Sequence, residues 1–293
     1  MLDELNGAFA LGGALKFEAG QNGWPKACMR AADGHGLEVY LYGATVSSWT
    51  TPGGQDLLFM SSRASFSEGK AIRGGIPIVF PQFAGGKLPS HGFARTNLWQ
   101  VRASAQSSSA VRLTLGLAAS EQSLSIWPYR FELEYRIELS SSLTTSLVVR
   151  NRDEKAMEFQ NALHTYFQLR DVSRCEVRGL AGLGYLDNLR KREQGREDRE
   201  VVTIAGEVDR IYVSAPNTLT IRDLATPRSF SILKHAMCDA VLWNPWINKS
   251  RELPDMGDDD YVGMLCLEAG NISAPIALAP GAVFECSQVI SYS

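Results

Sequence analysis

Two residues of this 293-residue chain have the types and settings that acid–base chemistry needs. His164 lies in a segment, residues 158–169, that reads as a strand. In a strand Phe159, Leu163 and Phe167 share one face, and Gln160, His164 and Tyr166 share the other. The imidazole therefore belongs to a polar, aromatic-rich face. Histidine titrates near ~6.5 and suits proton transfer at neutrality. Glu268 is the only charge in an apolar run, residues 262–269. Period two turns Leu265, Leu267 and Ala269 to the core and Cys266, Glu268 and Gly270 away from it. Partial desolvation there would raise the carboxyl pKa, as a general base requires. Each residue also has a plainer reading, His164 as an ordinary hydrogen-bonded histidine and Glu268 as half of a salt bridge.

Arg73 and Arg95 lie in Gly- and Pro-rich stretches, Arg73-Gly-Gly-Ile-Pro-Ile-Val-Phe-Pro-Gln82-Phe83 and Leu88-Pro-Ser-His91-Gly-Phe-Ala-Arg95. A guanidinium offers a planar fork to phosphate or carboxylate. It can equally brace a loop through backbone carbonyls. His91 is either a sugar contact or a residue that orders its loop. Other patterns fail. Gly85-Gly86-Lys87-Leu88 lacks the spacing of a phosphate loop. Asp255, Asp258, Asp259 and Asp260 miss the EF-hand spacing. The four histidines, His35, His91, His164 and His235, show no metal-ligand pairing, so no metal is expected. There is no G-x-S-x-G elbow.

Strands must position these groups. Phe131, Leu133, Tyr135, Ile137 and Leu139 alternate with charged residues, and Val111, Leu113, Leu115 and Leu117 repeat the pattern. Further strands are expected at residues 37–47, 57–61, 98–103, 142–150, 158–169, 218–222, 264–269 and 283–291, with turn residues between them. Helices should be short connections, for instance near residues 62–66. The charged stretch 188–200 reads as a solvated loop. Many strands without a βαβ rhythm predict an all-β fold, a large antiparallel β-sandwich with a few short helices. Without repeats or a linker, residues 1–293 are expected to form one domain.

The whole chain narrows the function classes. Net charge is 29 − 32 = −3, which disfavours a nucleic-acid surface but leaves room for a local basic pocket. Five cysteines, odd in number and without a CxxC pair, fit a reducing compartment. No signal segment and no run of ~18 apolar residues is present, so a cytoplasmic, monomeric protein without membrane partners is expected. The sequons at Asn248 and Asn271 are taken as chance.

The two loop stretches resemble the signature of the glucose-6-phosphate 1-epimerase (hexose-6-phosphate mutarotase) branch of the aldose 1-epimerase family. So do Ile126-Trp127-Pro128-Tyr129, Val208-Asp209-Arg210-Ile211-Tyr212, Trp243-Asn244-Pro245-Trp246 and Asp255-Met-Gly-Asp-Asp-Asp-Tyr261. The resemblance runs from about Val39 to Ile290. It implies a galactose-mutarotase-like supersandwich, with His164 as the catalytic acid and Glu268 as the base. It places substrate contacts on Arg73, Gln82, Arg95 and Asp209, and it needs no cofactor. The implied substrate is a small sugar phosphate. Open alternatives are a mutarotase for unphosphorylated sugars and a non-catalytic sugar binder on the same fold. A glycoside hydrolase would need a second carboxylate, and none stands out.

Overall fold

The clearest alternation in the chain, Phe131–Leu139, becomes a strand whose odd residues are buried and whose even residues are partly exposed. A slip of one residue would turn Glu132, Glu134, Arg136 and Glu138 into the core, so the register is strongly specified. The computed structural model describes residues 1–293. Helix α1 (Leu2–Phe9) precedes a four-stranded meander of β1 (Leu15–Ala19), β2 (Pro25–Arg30), β3 (Gly36–Tyr40) and β4 (Thr45–Thr50). A short β5 (Ile78–Val79) follows. Next come β6 (Gln100–Gln106), β7 (Val111–Ala118), helix α2 (Glu121–Ile126), β8 (Phe131–Leu139) and β9 (Leu143–Asn151).

The chain then crosses repeatedly between two eight-stranded sheets. The front sheet takes β5, β10 (Met157–Leu163), β11 (Tyr166–Gln168), β13 (Gly184–Asp187), β14 (Glu193–Arg196), β15 (Val208–Tyr212), β18 (Asp239–Asn244) and β19 (Met264–Leu278). The back sheet takes β6 to β9, β12 (Cys175–Arg178), β16 (Thr218–Asp223), β17 (Arg228–His235) and β20 (Val283–Tyr292). Helix α3 (Trp246–Glu252) follows β18. The front order is β14-β13-β15-β18-β19-β10-β5, with β11 also beside β19; the back order is β12-β16-β17-β20-β9-β8-β7-β6. A cluster of 59 buried hydrophobic residues includes Leu133, Tyr135 and Ile137 of the back sheet and Leu265, Leu267 and Ala269 of the front. The antiparallel all-β expectation holds.

Several boundaries differ from expectation. Residues 37–47 split into β3 and β4, because Gly43 and Ala44 adopt positive φ (70° and 47°) and turn the chain. Residues 57–61 form isolated bridges (Leu58 to Phe167, Met60 to Gly74) and not a strand. No helix forms at residues 62–66. There Asp260 accepts hydrogen bonds from Ser61 Oγ, Ser62 N and Ser62 Oγ at 2.7–3.0 Å, and such side-chain partners compete with helical backbone bonding. The stretch 188–200 is mostly exposed, as expected, but it is not all loop: β13 and β14 form a hairpin, and Glu197, just after β14, is buried. No helix is long and apolar enough to cross a membrane.

Candidate active site

Period two in the front sheet gathers one set of side chains onto the face turned away from the 59-residue core. Asp209 of β15 pairs in register with Trp243 of β18, Trp243 with Cys266 of β19, and Val241 with Glu268. On the other side of β19, Leu163 lies opposite Ala269 and Tyr166 opposite Cys266. The same register carried through places His164 opposite Glu268. Residues 158–169 are expected as one strand, but the ladder breaks at His164 and Thr165. There His164 N donates to Pro77 O, and Tyr166 N to Gly75 O. The face assignments of His164 and Tyr166 survive the break, because the register on both sides is unchanged; Gln160 lies at a separate register shift between Phe159 and Asn161.

Two loops close over this face. Gly92 has φ 70°, and a Cβ there would lie 2.0 Å from Phe80 O, so only glycine allows this approach. Its neighbour His91 adopts φ 61° despite carrying a side chain. A left-handed non-glycine residue is strained, and this strain turns His91 over the face, where its ring lies 5.6 Å from that of His164. A chamber of about 140 Å³ results, lined by Arg73, Phe83, His91, His164, Asn188, Asp209, Trp243 and Glu268 among others. Beside it lies a wider mouth of about 520 Å³, lined by Arg63, Lys70, Arg73, Arg95, Tyr166 and Asp255 among others. Arg73 lines both. A larger surface hollow of about 950 Å³ shares Ala71 and Arg95 with the mouth but holds neither His164 nor Glu268.

Within the chamber His164 Nε2 lies 3.2 Å from Glu268 Oε1. The His164 ring stacks on Tyr166 at 4.7 Å and 10°, with Trp243 edge-on at 6.1 Å. His164 Nδ1 and Glu268 Oε2 are buried without protein partners. Burial pushes the Glu268 carboxyl well above its usual range; Asp209 adds to the rise and Arg95 opposes it. Burial pushes His164 well below the usual histidine value, with His91, Arg95 and Arg73 adding to the fall. His91 is pushed down to about 3, first by burial and then by the two arginines. Asp209 is raised by burial, although Asn188 Nδ2 donates to it at 2.7 Å.

Arg73 forks between Tyr166 Oη (3.1 Å) and Asp255 (3.1 Å). Arg95 Nη2 donates to Ser90 O at 2.9 Å. Each arginine keeps a buried Nε–H without a partner. The structure thus brings together His164, Glu268, Arg73, Arg95, Asp209 and His91. Gln82 stands apart. Its amide braces the glycine-rich loop through Ala84 O, Leu88 O and Leu88 N, and it lines neither chamber nor mouth. Sequence reasoning gave no role to Asn188, Trp243 or Asp255. For Asp255 the acidic run was the available signal, but pairing with Arg73 depends on a chain reversal that spacing does not encode. Elsewhere, Glu18, Cys28 and Glu38 converge. Lys26 Nζ lies 2.7 Å from Glu38 and 3.5 Å from Glu18, so an ammonium already occupies that negative site.

A carboxyl pushed up beside an imidazole pushed down, both lining a small chamber, is an arrangement for moving one proton onto and off a small polar ligand. Residues 25–291 match the family described as aldose 1-epimerase. A protein of Cenchrus ciliaris named "Putative glucose-6-phosphate 1-epimerase" is 39% identical over 270 residues, 89% of this chain and 82% of its own length. The crystal structure of a "putative mutarotase (YeaD)" from Salmonella typhimurium superposes with TM-score 0.89 at 27% identity, covering 100% of this chain and 99% of the other. A galactose mutarotase-like protein from Lactobacillus casei shares the fold, with TM-score 0.72 at 14% identity over 92% of this chain and 100% of its own.

Proposed function

The chain belongs to the aldose 1-epimerase family and is an epimerase of the mutarotase type; from that premise we propose that it interconverts the α and β anomers of hexose 6-phosphates, glucose 6-phosphate first. The observation that carries the phosphate is the mouth next to the acid–base chamber. Arg63, Lys70, Arg73 and Arg95 line it with Asp255; Arg63 pairs with Asp258 and Arg73 with Asp255, which leaves Lys70 and Arg95 as a local positive excess on a chain of net charge −3. Arg73 and Arg95, which line the mouth, each keep a buried Nε–H without a partner, and guanidinium groups with donors to spare suit a phosphate dianion. The name of the Cenchrus ciliaris relative points the same way.

The chemistry follows from the 3.2 Å contact. Glu268 takes the proton of the anomeric hydroxyl, and His164 gives a proton to the ring oxygen. The C1–O5 bond breaks and the electron pair of O1 closes the aldehyde C=O. Rotation about C1–C2 presents the other carbonyl face. O5 then attacks C1, its proton returns to His164, and Glu268 protonates O1. The pair begins and ends with one mobile proton. With that proton on His164 it is ready to open the ring; with the proton on Glu268 it is ready to close it. Burial favours the neutral form with Glu268 protonated and His164 free. The direct contact makes the two forms tautomers that exchange without solvent. A positioned acid–base pair contributes roughly 10²–10⁴-fold in rate. His91 and Asp209 would hold sugar hydroxyls at the chamber wall.

Magnetisation-transfer NMR between the α and β anomers of glucose 6-phosphate tests the reading. Catalytic protein should accelerate exchange without changing the anomer ratio, and should act much less on glucose. Exchange at the buffer rate would refute it.

A further inference from the structure

Two polar contacts cross the core from β20, and both end beside the break that presents His164. Asn161, three residues before His164, donates Nδ2–H to Cys286 Sγ at 3.2 Å. Thr165, the residue after it, accepts from Gln288 Nε2 through Oγ1 at 2.9 Å. Cys286 and Gln288 are alternate residues of β20, so both point inward. All four residues are 0% exposed. Asn161 Oδ1 also accepts from Asn271 Nδ2 at 3.1 Å, and Asn271 lies on β19, three residues beyond Glu268. The strands of both catalytic groups are therefore tied to one internal brace.

Packing does not explain Gln288. Its side chain makes the Thr165 contact alone, and its Oε1 is buried without a partner. An unsatisfied buried carbonyl is costly, and an apolar side chain of similar size would stabilise the core more. What Gln288 holds is a break in the front sheet, at the residue next to His164. β10 ends at Leu163 and β11 begins at Tyr166, so the ladder to β19 is interrupted at His164 and Thr165.

We propose that Thr165 and Gln288 are positioning residues for the acid–base pair. Their hydroxyl–amide contact fixes the backbone at the break and so keeps His164 Nε2 against Glu268 Oε1 and in line with the sugar. The inference rests on the reading that this pair performs the chemistry. Thr165→Val keeps volume and strand propensity but removes the acceptor; Thr165→Ser keeps the acceptor and removes a methyl. A structural role ranks valine at or above serine. A positioning role reverses the order. Small displacements at a reacting centre cost large factors. Thr165→Val should thus lose roughly tenfold or more in kcat with KM for glucose 6-phosphate nearly unchanged, and the His164 ring signal should shift in NMR. Thr165→Ser should return most of the kcat despite a lower Tm. Gln288→Met, which keeps length without the amide, should reproduce the valine loss and decides the matter if Thr165→Val does not fold. Parental kcat in Thr165→Val or Gln288→Met, or a serine variant no faster than the valine one, overturns the proposal. His164→Ala in the same assay separates the failures. An inactive His164→Ala beside a fully active Thr165→Val removes only the brace, whereas a fully active His164→Ala removes the reading beneath it.

Discussion

Glu197 and Glu268 are both buried, at 3% and 2% exposure, and both serve the front sheet. Their surroundings drive them in opposite directions. Glu197 accepts hydrogen bonds from Arg199 Nε (2.7 Å) and Nη2 (2.9 Å), from Arg210 Nη1 (3.3 Å) and from Tyr212 Oη (3.0 Å). These donors hold its carboxyl below the usual range against the opposing effect of burial. Glu268 has the single contact with His164 and an oxygen with no partner, and its carboxyl rises. Burial alone does not identify a functional carboxylate. What separates them is the set of partners: a saturated carboxylate has no capacity left for a substrate proton, whereas Glu268 keeps a free oxygen beside His164 in the chamber.

Exchanging the two roles by mutation sharpens the contrast. Glu268→Gln and His164→Ala should each cost ~10²-fold or more in kcat while the Tm stays near the parent, since neither removes a satisfied ion pair. The pH profile belongs to the same test. The productive pair carries one proton. It gains a second when His164 protonates at low pH and loses its only one when Glu268 ionises at high pH. Burial lowers the first pKa and raises the second. Parental kcat should therefore hold level through neutrality, with its acid limb below the ordinary histidine value of ~6.5. In Glu268→Gln only His164 can carry the proton, so the residual rate should fall as pH rises, with that limb below the ordinary histidine value. Parental exchange in either variant would move the chemistry elsewhere.

Glu197→Ala should do the reverse. It leaves Arg199 and Arg210 facing each other without their shared carboxylate. Urea unfolding should report a loss of about 3 kcal/mol, the low end for breaking a buried pair because Arg199 can turn to solvent. Anomer exchange per folded molecule should remain near the parent. A variant that keeps its stability and loses its rate would mean that the two glutamates are not distinct in kind.

The same contrast marks what the sequence made legible. Alternation in Phe131–Leu139 survives into the structure because that strand has one dry face and one partly exposed face, and period two records that. Around Glu268 both faces are buried, and the signal there was the lone carboxylate in an apolar run. The strand Asp239–Asn244 left no such trace. Its residues are buried on both faces apart from Trp243, and a short apolar run without alternation cannot be told from a helix by periodicity. Trp243 went unassigned with it. The break at His164 was invisible for another reason, since it is held by Pro77, Gly75 and Gln288, all remote in sequence. Glu197 was missed because mixed charges read as solvent, whereas the β13–β14 hairpin folds them onto Arg210 and Tyr212.

The central claim is that the basic mouth makes this a sugar-phosphate enzyme, and Arg95→Ala tests it most directly. Hydrogen bonds to a charged group contribute about 1.5–3 kcal/mol, and each 1.4 kcal/mol is about tenfold. The ratio of kcat/KM for glucose 6-phosphate over that for glucose should fall roughly tenfold to a hundredfold in Arg95→Ala. Arg95→Lys should recover part of it, because an ammonium supplies charge without the fork. An unchanged ratio would contradict the account. It would make Arg95 a brace for Ser90 alone and leave a mutarotase indifferent to phosphate.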